Sequence, residues 1–503
     1  MNASRADLAL ALFPLGVIGV GTLLCGVLAA VRRSGAARAN RVIATLAFVA
    51  AIIAALVELY QKRFVDNGIF VLSGAANSRL AQGTLVIDRF SVFATVILCG
   101  FGLMSTLTSA TSLPLLHGRG GLFYALLLSA TGGGVVLASQ HEMGALALGV
   151  GMEIVSLGTM LGLSKTNKRS VEAAYKYMVS GAVATAGMLL GLAILNGVSA
   201  STNLPVVAAS GGQAPVLAAL GALIVVAALA ALAGLMPLPQ WVPSIAETAP
   251  GPVVGVVLSI GIGSAVLALV RTTAAGFGGG IHWWVGCAAG LGILSVFYGA
   301  LAALRESSVR RLLAYVAVAQ TGFNLLGVVG FGTGTDGLPA MGVNALLFGL
   351  VITGVTLIGL FALIGVFEAG DVGDDIGDYR GIVHRNGPLG TLFALGLVGV
   401  AGLPPSGAFL AHLFALQSAV YVNYAWLAAL GVIGMVCAAV PPLRLLVIVL
   451  GERERGEHAL RPHVSRTTGW AIAAVCVFAA MLALLAEPLL RWGAGAAAVL
   501  PLH

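Results

Sequence analysis

The stretch GVGMEIVSLGTMLGLSKTNKRSVEAAYKYMVSGA, residues 149–182, joins two apolar runs through the short basic turn from Lys165 to Ser170. An α-helix rises about 1.5 Å per residue, so a run of about 20 apolar residues crosses the ~30 Å hydrocarbon layer of a bilayer. Two such runs joined by so short a turn must be antiparallel neighbours. The stretch therefore predicts a hairpin of two transmembrane helices.

Apolar runs of similar length recur along the whole chain of 503 residues. Hydrophobic residues make up 59% of the chain and charged residues only 9%, whereas a soluble domain carries roughly 25% charged residues. The composition excludes a soluble protein, and the recurring runs leave no stretch for a separate catalytic domain. We expect an all-α polytopic membrane protein.

Fourteen spans are predicted from apolar length. The first is longer than the apolar part of a signal peptide, so we expect it to be retained as a helix. The spans are approximately 8–31, 41–60, 86–110, 121–139, 142–163, 172–198, 214–236, 252–272, 281–303, 311–332, 340–367, 387–420, 424–450 and 469–492.

Basic residues in the connecting loops indicate the orientation. Of the 26 Lys and Arg residues, 18 lie in the loops of one face, seven lie on the other face with both termini, and Lys176 lies inside a span. Cytoplasmic loops are enriched in Lys and Arg, so the first face is predicted to be cytoplasmic. Both termini are therefore expected on the periplasmic side of the cell inner membrane. The net charge of +7 has the same explanation and does not indicate a nucleic-acid partner.

Motifs that bind metals, redox cofactors or nucleotides are absent from the sequence. The five cysteines stand singly inside apolar runs, without the spacings that bind zinc or iron–sulfur clusters. The sequence contains no P-loop, no HExxH and no GxGxxG after a strand. We therefore expect this chain to hold no metal and no cofactor.

Two predicted spans contain matching interruptions. The seventh ends in AGLMPLPQW (Ala233 to Trp241), and the twelfth contains AGLPPSGAF (Ala401 to Phe409). Prolines break the helical hydrogen-bond ladder, which lipid-exposed backbone does not tolerate. Broken helices at corresponding places in two halves point to repeats with a transport path between or within them. The alternative is a pair of proline kinks packed against neighbouring helices.

Two ionisable residues lie at membrane depth on the opening hairpin. Glu153 is about 15 Å from the cytoplasmic end of its span, and Lys176 is about 6–9 Å below the cytoplasmic surface. Each costs at least ~2.5–3.5 kcal/mol to insert, so a partner or a function is expected. We expect the two to form an ion pair that acts as a proton switch, while Glu172 is solvated near the interface. The alternatives are a static ion pair, or a Lys176 ammonium that reaches the interface.

In the second half of the chain, the candidate proton-relay residues are histidines, because imidazole titrates near neutral pH and can relay protons. His412 follows the second interruption directly, whereas His282 stands beside two tryptophans and is interpreted as an interfacial anchor. A packing role for His412 is the alternative. The acidic stretch 368–378 is expected to be a solvated cytoplasmic loop, available to a partner.

The motifs on these spans resemble those of the antiporter-like membrane subunits of respiratory complex I. The hairpin from Glu153 to Tyr177 resembles their helix 5–6 hairpin, and WVPSIAETAPGPV (Trp241 to Val253) resembles their W-x-P-D-x-Y-E-G-A-P-T-P-V loop. SVRRLLAYVAVAQTGF (Ser308 to Phe323) is similar to their VKRLLAYSSIAQ-x-G segment, and GLPPSGAFLAHLF (Gly402 to Phe414) to their broken helix. The similarity extends over about residues 80–420 in family order. The SxEAxxKY motif and the fourteen spans favour subunit N over subunits L and M.

This resemblance implies two inverted five-helix repeats, with the broken helices in equivalent places. The implied organisation is N-terminal helices in 1–110, a first repeat in 111–275, a second repeat in 276–450, and a cytoplasmic loop with the last helix in 451–503. The resemblance also implies a multi-subunit membrane arm in which quinone reduction elsewhere drives proton translocation. Quinone, FMN and iron–sulfur clusters would then be bound by partner subunits.

The resemblance also assigns relay positions. Glu153 matches the family's helix-5 glutamate, Lys176 matches its helix-6 lysine, and His412 occupies the place of its helix-12 lysine. Two further lysines of the family fall on Leu232 and Ile262. An axis that lacks two relay groups can pass protons only if water or other residues replace them.

The leading hypothesis is a subunit-N-like component of a proton-translocating NADH:quinone oxidoreductase, with no redox centre of its own. Glu153, Lys176 and His412 would form its proton relay, and conduction is expected to be impaired or rerouted. A second hypothesis is the same module in a membrane-bound hydrogenase or a cation/proton antiporter complex. A third is a structural spacer that has lost conduction.

Overall fold

The structure, a computed structural model, describes residues 5–32, 36–60, 69–71, 83–111, 119–163, 168–212, 214–277, 283–330, 341–452 and 465–500. Its helices are α1 Arg5–Val31, α2 Ala36–Tyr60, α3 Arg89–Thr108, α4 Gly120–Ser139, α5 Met143–Leu161, α6 Lys168–Ser199, α7 Leu204–Ser210, α8 Pro215–Leu232, α9 Trp241–Thr248, α10 Gly251–Phe277, α11 Trp283–Arg305, α12 Val309–Leu326, α13 Met341–Glu368, α14 Ile382–Arg385, α15 Gly387–Ala401, α16 Gly407–Tyr421, α17 Ala425–Leu450, α18 Arg466–Met481 and α19 Ala486–Ala497. Strands β1 Ile69–Val71 and β2 Leu85–Ile87 form a short antiparallel pair. His282 lies outside the described residues.

The predicted all-α polytopic fold is confirmed. Within the described residues, 12 helices are long and apolar enough to cross a membrane, or 13 if the bent pair α18–α19 forms one span. The predicted twelfth span is observed as two shorter apolar helices, α15 and α16, separated at the interruption. The number fourteen, the domain boundaries and the inverted repeats stay predictions.

Three helices form the centre of the bundle. The most apolar stretches of α10, α12 and α13 are 100% buried, whereas those of α1, α2, α6 and α17 are buried to only 28–39%. Large apolar side chains cover the exposed faces of the outer helices, as contact with lipid requires. Polar side chains on the three central helices therefore lie away from lipid, where a transport path would run.

Small residues bring α11 and α12 into close contact. A Cβ atom added to Gly292 would lie 3.0 Å from the carbonyl oxygen of Gly322, and one added to Gly322 would lie 2.7 Å from the carbonyl oxygen of Gly292. Membrane helices often pack through such small residues, because their backbones can then approach closely. This crossing fixes α12 in the centre of the bundle.

The last predicted span, 469–492, is not one straight helix. It is divided into α18 and α19, which meet at an angle of 79°. Pro488 lies in the first turn of α19, and a proline cannot donate the backbone hydrogen bond that a continuous helix would need there. The sequence contains this proline, but the prediction was based on apolar length alone.

The prediction of a solvated acidic loop after α13 is wrong at two of its carboxylates. Asp374 accepts hydrogen bonds from the Ser308 hydroxyl and, at 3.0 Å, from Nε of Arg310. Glu368 lies 3.6 Å from a guanidinium nitrogen of the same arginine, whose side chain is only 16% exposed. A largely buried guanidinium needs such partners to offset the hydration that it has lost. The loop therefore folds back onto the start of α12.

Candidate functional site

Glu153 is buried on α5, with 5% of its surface exposed. Its Oε1 atom accepts a hydrogen bond from the hydroxyl of Ser264 on α10. The same hydroxyl oxygen is 2.9 Å from the carbonyl oxygen of Gly261. One hydroxyl proton serves one acceptor well at a time. Ser264 therefore donates to an ionised Glu153, and it can turn to Gly261 when a protonated Glu153 donates to it.

A small cavity adjoins the Glu153 side chain. Its lining includes Tyr177 of α6, Leu232 of α8 and Gly261 of α10, and it has room for about one water molecule. Tyr177 packs edge-on against Trp241, with the ring centroids 5.2 Å apart. The α6 residue that faces Glu153 across this cavity is therefore the tyrosine.

Lys176 lies on the outer face of α6, and the predicted ion pair between Lys176 and Glu153 is wrong. The Nζ atom of Lys176 is 2.6 Å from Oε1 of Glu172, and the two side chains are 45% and 54% exposed. The inward face of α6 includes Ala173 and Tyr177. Successive residues of an α-helix are rotated by about 100°, so a lysine next to an inward tyrosine is turned away from the bundle.

Both interruptions begin with a glycine in the left-handed conformation. Gly234 has φ +69° and Gly402 has φ +67°, values that other residues rarely adopt. A Cβ atom added to Gly234 would lie 2.5 Å from Cγ2 of Val242, and one added to Gly402 would lie 2.9 Å from Cε1 of His412. The two glycines end α8 and α15 in the same way, but one faces an aliphatic side chain and the other an imidazole.

In the first interruption, two side chains form hydrogen bonds with backbone groups at the break. The N–H group of Met236 donates to the Ser295 hydroxyl of α11 at 2.9 Å. The indole Nε1 of Trp241 donates to the carbonyl oxygen of Ala231 at 3.0 Å. Buried backbone polar groups need partners of this kind, and here the partners do not titrate near neutral pH.

In the second interruption, the partner is Gln320 of α12. Its Nε2 atom donates to the carbonyl oxygen of Val400 at 2.7 Å, and its Oε1 atom is 2.6 Å from Nε2 of His412. His412 is 2% exposed and stacks on Phe323 with a centroid distance of 4.1 Å. Among the described residues, Nδ1 of His412 has no hydrogen-bond partner. One amide thus satisfies the broken helix and holds a titratable ring.

A second cavity lies between α10 and the helices α12 and α13. It also has room for about one water molecule. Its polar lining consists of Ser259, Thr321, Asn324 and Thr353. The α10 segment that separates the two cavities contains a π turn, Val257–Gly261. Such turns are frequent at functional sites.

The positions to which the resemblance assigns two family lysines line these cavities. Leu232 lines the cavity beside Glu153, and Ile262 lines the second cavity. Both amines are therefore absent from the centre of the candidate path. The sequence analysis missed Ser264, Tyr177 and Gln320, although a polar side chain in an apolar helix is itself a signal, because it is expensive in lipid.

The described residues contain no group of three or more His, Cys, Asp and Glu side chains that could hold a metal ion. The five cysteines are free, and they lie on the five different helices α1, α3, α11, α17 and α18. A buried ion pair joins Asp88 to Arg271, with 2.5 Å between Oδ2 and Nη1 and each side chain 4% exposed. Asp88 also caps α3 through the backbone N–H of Ser91, so its role is structural.

Comparisons with known proteins show which chains this one resembles. The family model described as NADH:quinone oxidoreductase/Mrp antiporter, transmembrane, matches residues 142–438. An NADH-quinone oxidoreductase subunit N from Moorella thermoacetica is 30% identical over 402 residues, which cover 78% of this chain and 82% of that protein.

Solved structures share the fold. A chain of respiratory complex I from Thermus thermophilus aligns with a TM-score of 0.76 at 24% identity, covering 95% of this chain and 98% of that one. A chain of the Mrp complex from Dietzia sp. DQ12-45-1b aligns with a TM-score of 0.84 at 19% identity, covering 99% of this chain and 98% of that one. The whole length of the bundle therefore has counterparts of known structure.

Proposed function

The chain belongs to the NADH:quinone oxidoreductase/Mrp antiporter family of transmembrane subunits, and we propose that it is a subunit-N-like component of a proton-translocating NADH:quinone oxidoreductase. The relative named subunit N supports this assignment. In this role the chain is one membrane-arm subunit of an enzyme complex, and its contribution is proton movement coupled to quinone reduction in other subunits.

The observation that carries this function is the burial of Glu153 beside a cavity in the bundle. Its hydrogen-bond partner is the Ser264 hydroxyl rather than a cation. A carboxylate at membrane depth changes its charge when it binds a proton, and the adjoining cavity has room for about one water molecule to exchange that proton. Because Ser264 can turn between Glu153 and Gly261, the hydrogen bonds of this cluster can follow the protonation of the carboxylate.

The second cavity provides the link to the other half. The hydroxyls of Ser259 and Thr321 donate to carbonyl oxygens of their own helices at 2.7 and 2.8 Å. Their lone pairs remain free to accept hydrogen bonds, so the cavity suits a water molecule that donates. Asn324 lies one turn along α12 from Gln320, which contacts His412. Water and hydroxyls would then replace the amines that are absent at Leu232 and Ile262.

The proposal also gives a role to Lys176, which lies on the outer face of α6. Its ion pair with Glu172 is exposed among apolar side chains, including Tyr175 and Val179. Charged groups are expensive in contact with lipid. We propose that a neighbouring subunit of the membrane arm covers this pair and that Lys176 acts at that contact.

The cofactors and the orientation follow from the same assignment. Quinone, FMN and iron–sulfur clusters would be bound by partner subunits. The cysteines of this chain lie on separate helices, so they do not form the set of four ligands that an iron–sulfur cluster needs. Both termini would be periplasmic, because 18 of the 26 Lys and Arg residues lie in the loops of the opposite face. The membrane would be the cell inner membrane.

The test is the proton-to-electron ratio of the assembled complex with Glu153→Gln. The amide keeps the size of the side chain but cannot carry the proton, so we expect NADH-driven acidification of membrane vesicles to fall relative to electron transfer. Glu487→Gln is the matched control, because Glu487 is exposed and pairs with Arg491 on α19. An unchanged ratio for Glu153→Gln in a fully assembled complex would exclude this role.

One alternative has a specific observation in its favour. The aliphatic Leu232 lines the cavity beside Glu153 and the aliphatic Ile262 lines the second cavity, which is the arrangement expected of a non-conducting spacer. If the chain is such a spacer, Glu153→Gln will leave the proton-to-electron ratio unchanged. The other alternative is a hydrogenase or antiporter subunit, and the family model includes Mrp antiporters as well as NADH:quinone oxidoreductases. Identification of the co-purified chains distinguishes it.

A further inference from the structure

The amide of Gln320 has one possible orientation. The carbonyl oxygen of Val400 can only accept a hydrogen bond, so the Gln320 atom that lies 2.7 Å away must be the donor Nε2. The Oε1 atom then faces His412, at 2.6 Å from Nε2 of the ring. An amide oxygen only accepts. The proton of a neutral His412 is therefore on Nε2.

The other ring nitrogen is left as the free acceptor. Nδ1 of His412 is buried without a hydrogen-bond partner among the described residues. A Cβ atom added to Gly402 would lie 3.0 Å from it, so Nδ1 faces the end of α15. The last carbonyl groups of an α-helix have no partner within the helix. An Nδ1–H group would therefore face this end of α15 at Gly402.

The surroundings of His412 are otherwise uncharged. The groups that face it are Gln320 and Phe323 from α12 and the backbone of Gly402 at the end of α15. No charged side chain of the described residues, from α12, α13, α15 or α17, forms a hydrogen bond or an ion pair with it. The protonation of this ring thus depends on the amide and on the broken helix.

We propose that Gln320 is a positioning residue that makes His412 a proton-loading site, which binds and releases its proton through Nδ1 alone. This inference rests on the proposed function. On loading, the Nδ1 lone pair takes a proton from a protonated water molecule, whose O–H bond breaks, and the ring becomes an imidazolium; on release, the N–H bond breaks and the proton returns to water. Nε2 keeps its proton throughout, because an amide oxygen cannot take it away. The proton therefore leaves on the side where it entered, unless α15 moves.

The experiment is a double-mutant cycle in the assembled complex. Gln320→Leu, His412→Phe and the double variant are compared for the proton-to-electron ratio across a range of pH. We expect Gln320→Leu to lower the ratio and to move its pH profile, and we expect it to have no further effect when His412 is already replaced. Gln417→Leu is the matched control, because it makes the same change at an exposed position on α16, five residues after His412.

A second variant, Gln320→Glu, tests the inference if the complex with Gln320→Leu does not assemble. The protonated form of Gln320→Glu can donate to Val400 and accept from His412, whereas its ionised form pairs with an imidazolium. We expect its pH profile to move to higher pH with assembly retained. Unchanged pH profiles for the Gln320 variants would overturn this inference but not the proposed function. An equal effect of Gln320→Leu with and without His412 would do the same. No effect of His412→Phe would also remove His412 from the proposed function.

Discussion

The two interrupted helices share one construction and differ in what their partners can do. Each helix ends at a left-handed glycine, Gly234 or Gly402, and in each a side chain from α11 or α12 satisfies a freed backbone group. In the first half that side chain is Ser295, which does not titrate. In the second half it is Gln320, which also holds His412.

Because of this difference, only the second interruption is expected to respond to a change of protonation. In the first half, the titratable group Glu153 bonds to Ser264 on α10 and not to the interrupted helix. The interruption there can stay fixed while the carboxylate changes its charge. In the second half, the protonation of His412 and the geometry of the interruption share one amide. We therefore expect damage to the first interruption to lower stability, and damage to the second to alter transport.

The largest effects are expected from alanine at the two glycines. An L-residue in the left-handed region costs roughly 1–2 kcal/mol, and Gly234→Ala adds a contact at 2.5 Å with Val242. We expect Gly234→Ala to reduce the amount of assembled complex most. Gly402→Ala pushes on the ring of His412 at 2.9 Å, so we expect it to lower the proton-to-electron ratio of the complex that does assemble. The measurements are complex yield, thermal unfolding and that ratio.

Gly144→Ala is the control, because a Cβ atom there meets nothing within 4 Å and alanine is favoured in a helix. It should leave both yield and ratio unchanged. If Gly234→Ala and Gly402→Ala lowered the ratio per assembled complex equally, the contrast between the two interruptions would be lost.

A smaller effect is expected from Ser295→Ala. The variant leaves the N–H group of Met236 without its acceptor, and an unsatisfied buried donor costs about 1–3 kcal/mol. We expect a lower unfolding temperature and a proton-to-electron ratio that matches the parent at every pH, in contrast to Gln320→Leu. Ser210→Ala is the control, because that hydroxyl bonds only to the Val206 carbonyl of its own helix. A displaced pH profile for Ser295→Ala would show that the first interruption also responds to protons.

The sequence predicted the positions of the helices better than their rotation. The predicted spans 41–60 and 340–367 are observed as Ala36–Tyr60 and Met341–Glu368, because the length of an apolar run is a direct measure of its fit to the membrane. The prolines located both interruptions for an equally local reason. These features need no knowledge of neighbouring helices.

The contacts of the site are not local, and the sequence analysis missed them. Ser264 and Glu153 are separated by 111 residues, and Gln320 and His412 by 92. Which face of a helix turns inward depends on its neighbours, and for that reason Lys176 was paired with the wrong carboxylate.

The smallest effect is expected from Lys176→Ala. Ion pairs on a protein surface contribute little to stability, and the side chains of Lys176 and Glu172 are 45% and 54% exposed. We expect the unfolding temperature of the complex to match that of Lys168→Ala, a control at the exposed start of the same helix, and the proton-to-electron ratio to change less than in Glu153→Gln. A loss as large as that of Glu153→Gln would mean that α6 turns in the assembled arm and brings Lys176 to Glu153. In that case the first half would also join its titratable group to a movable helix, and the contrast with the second half would no longer hold.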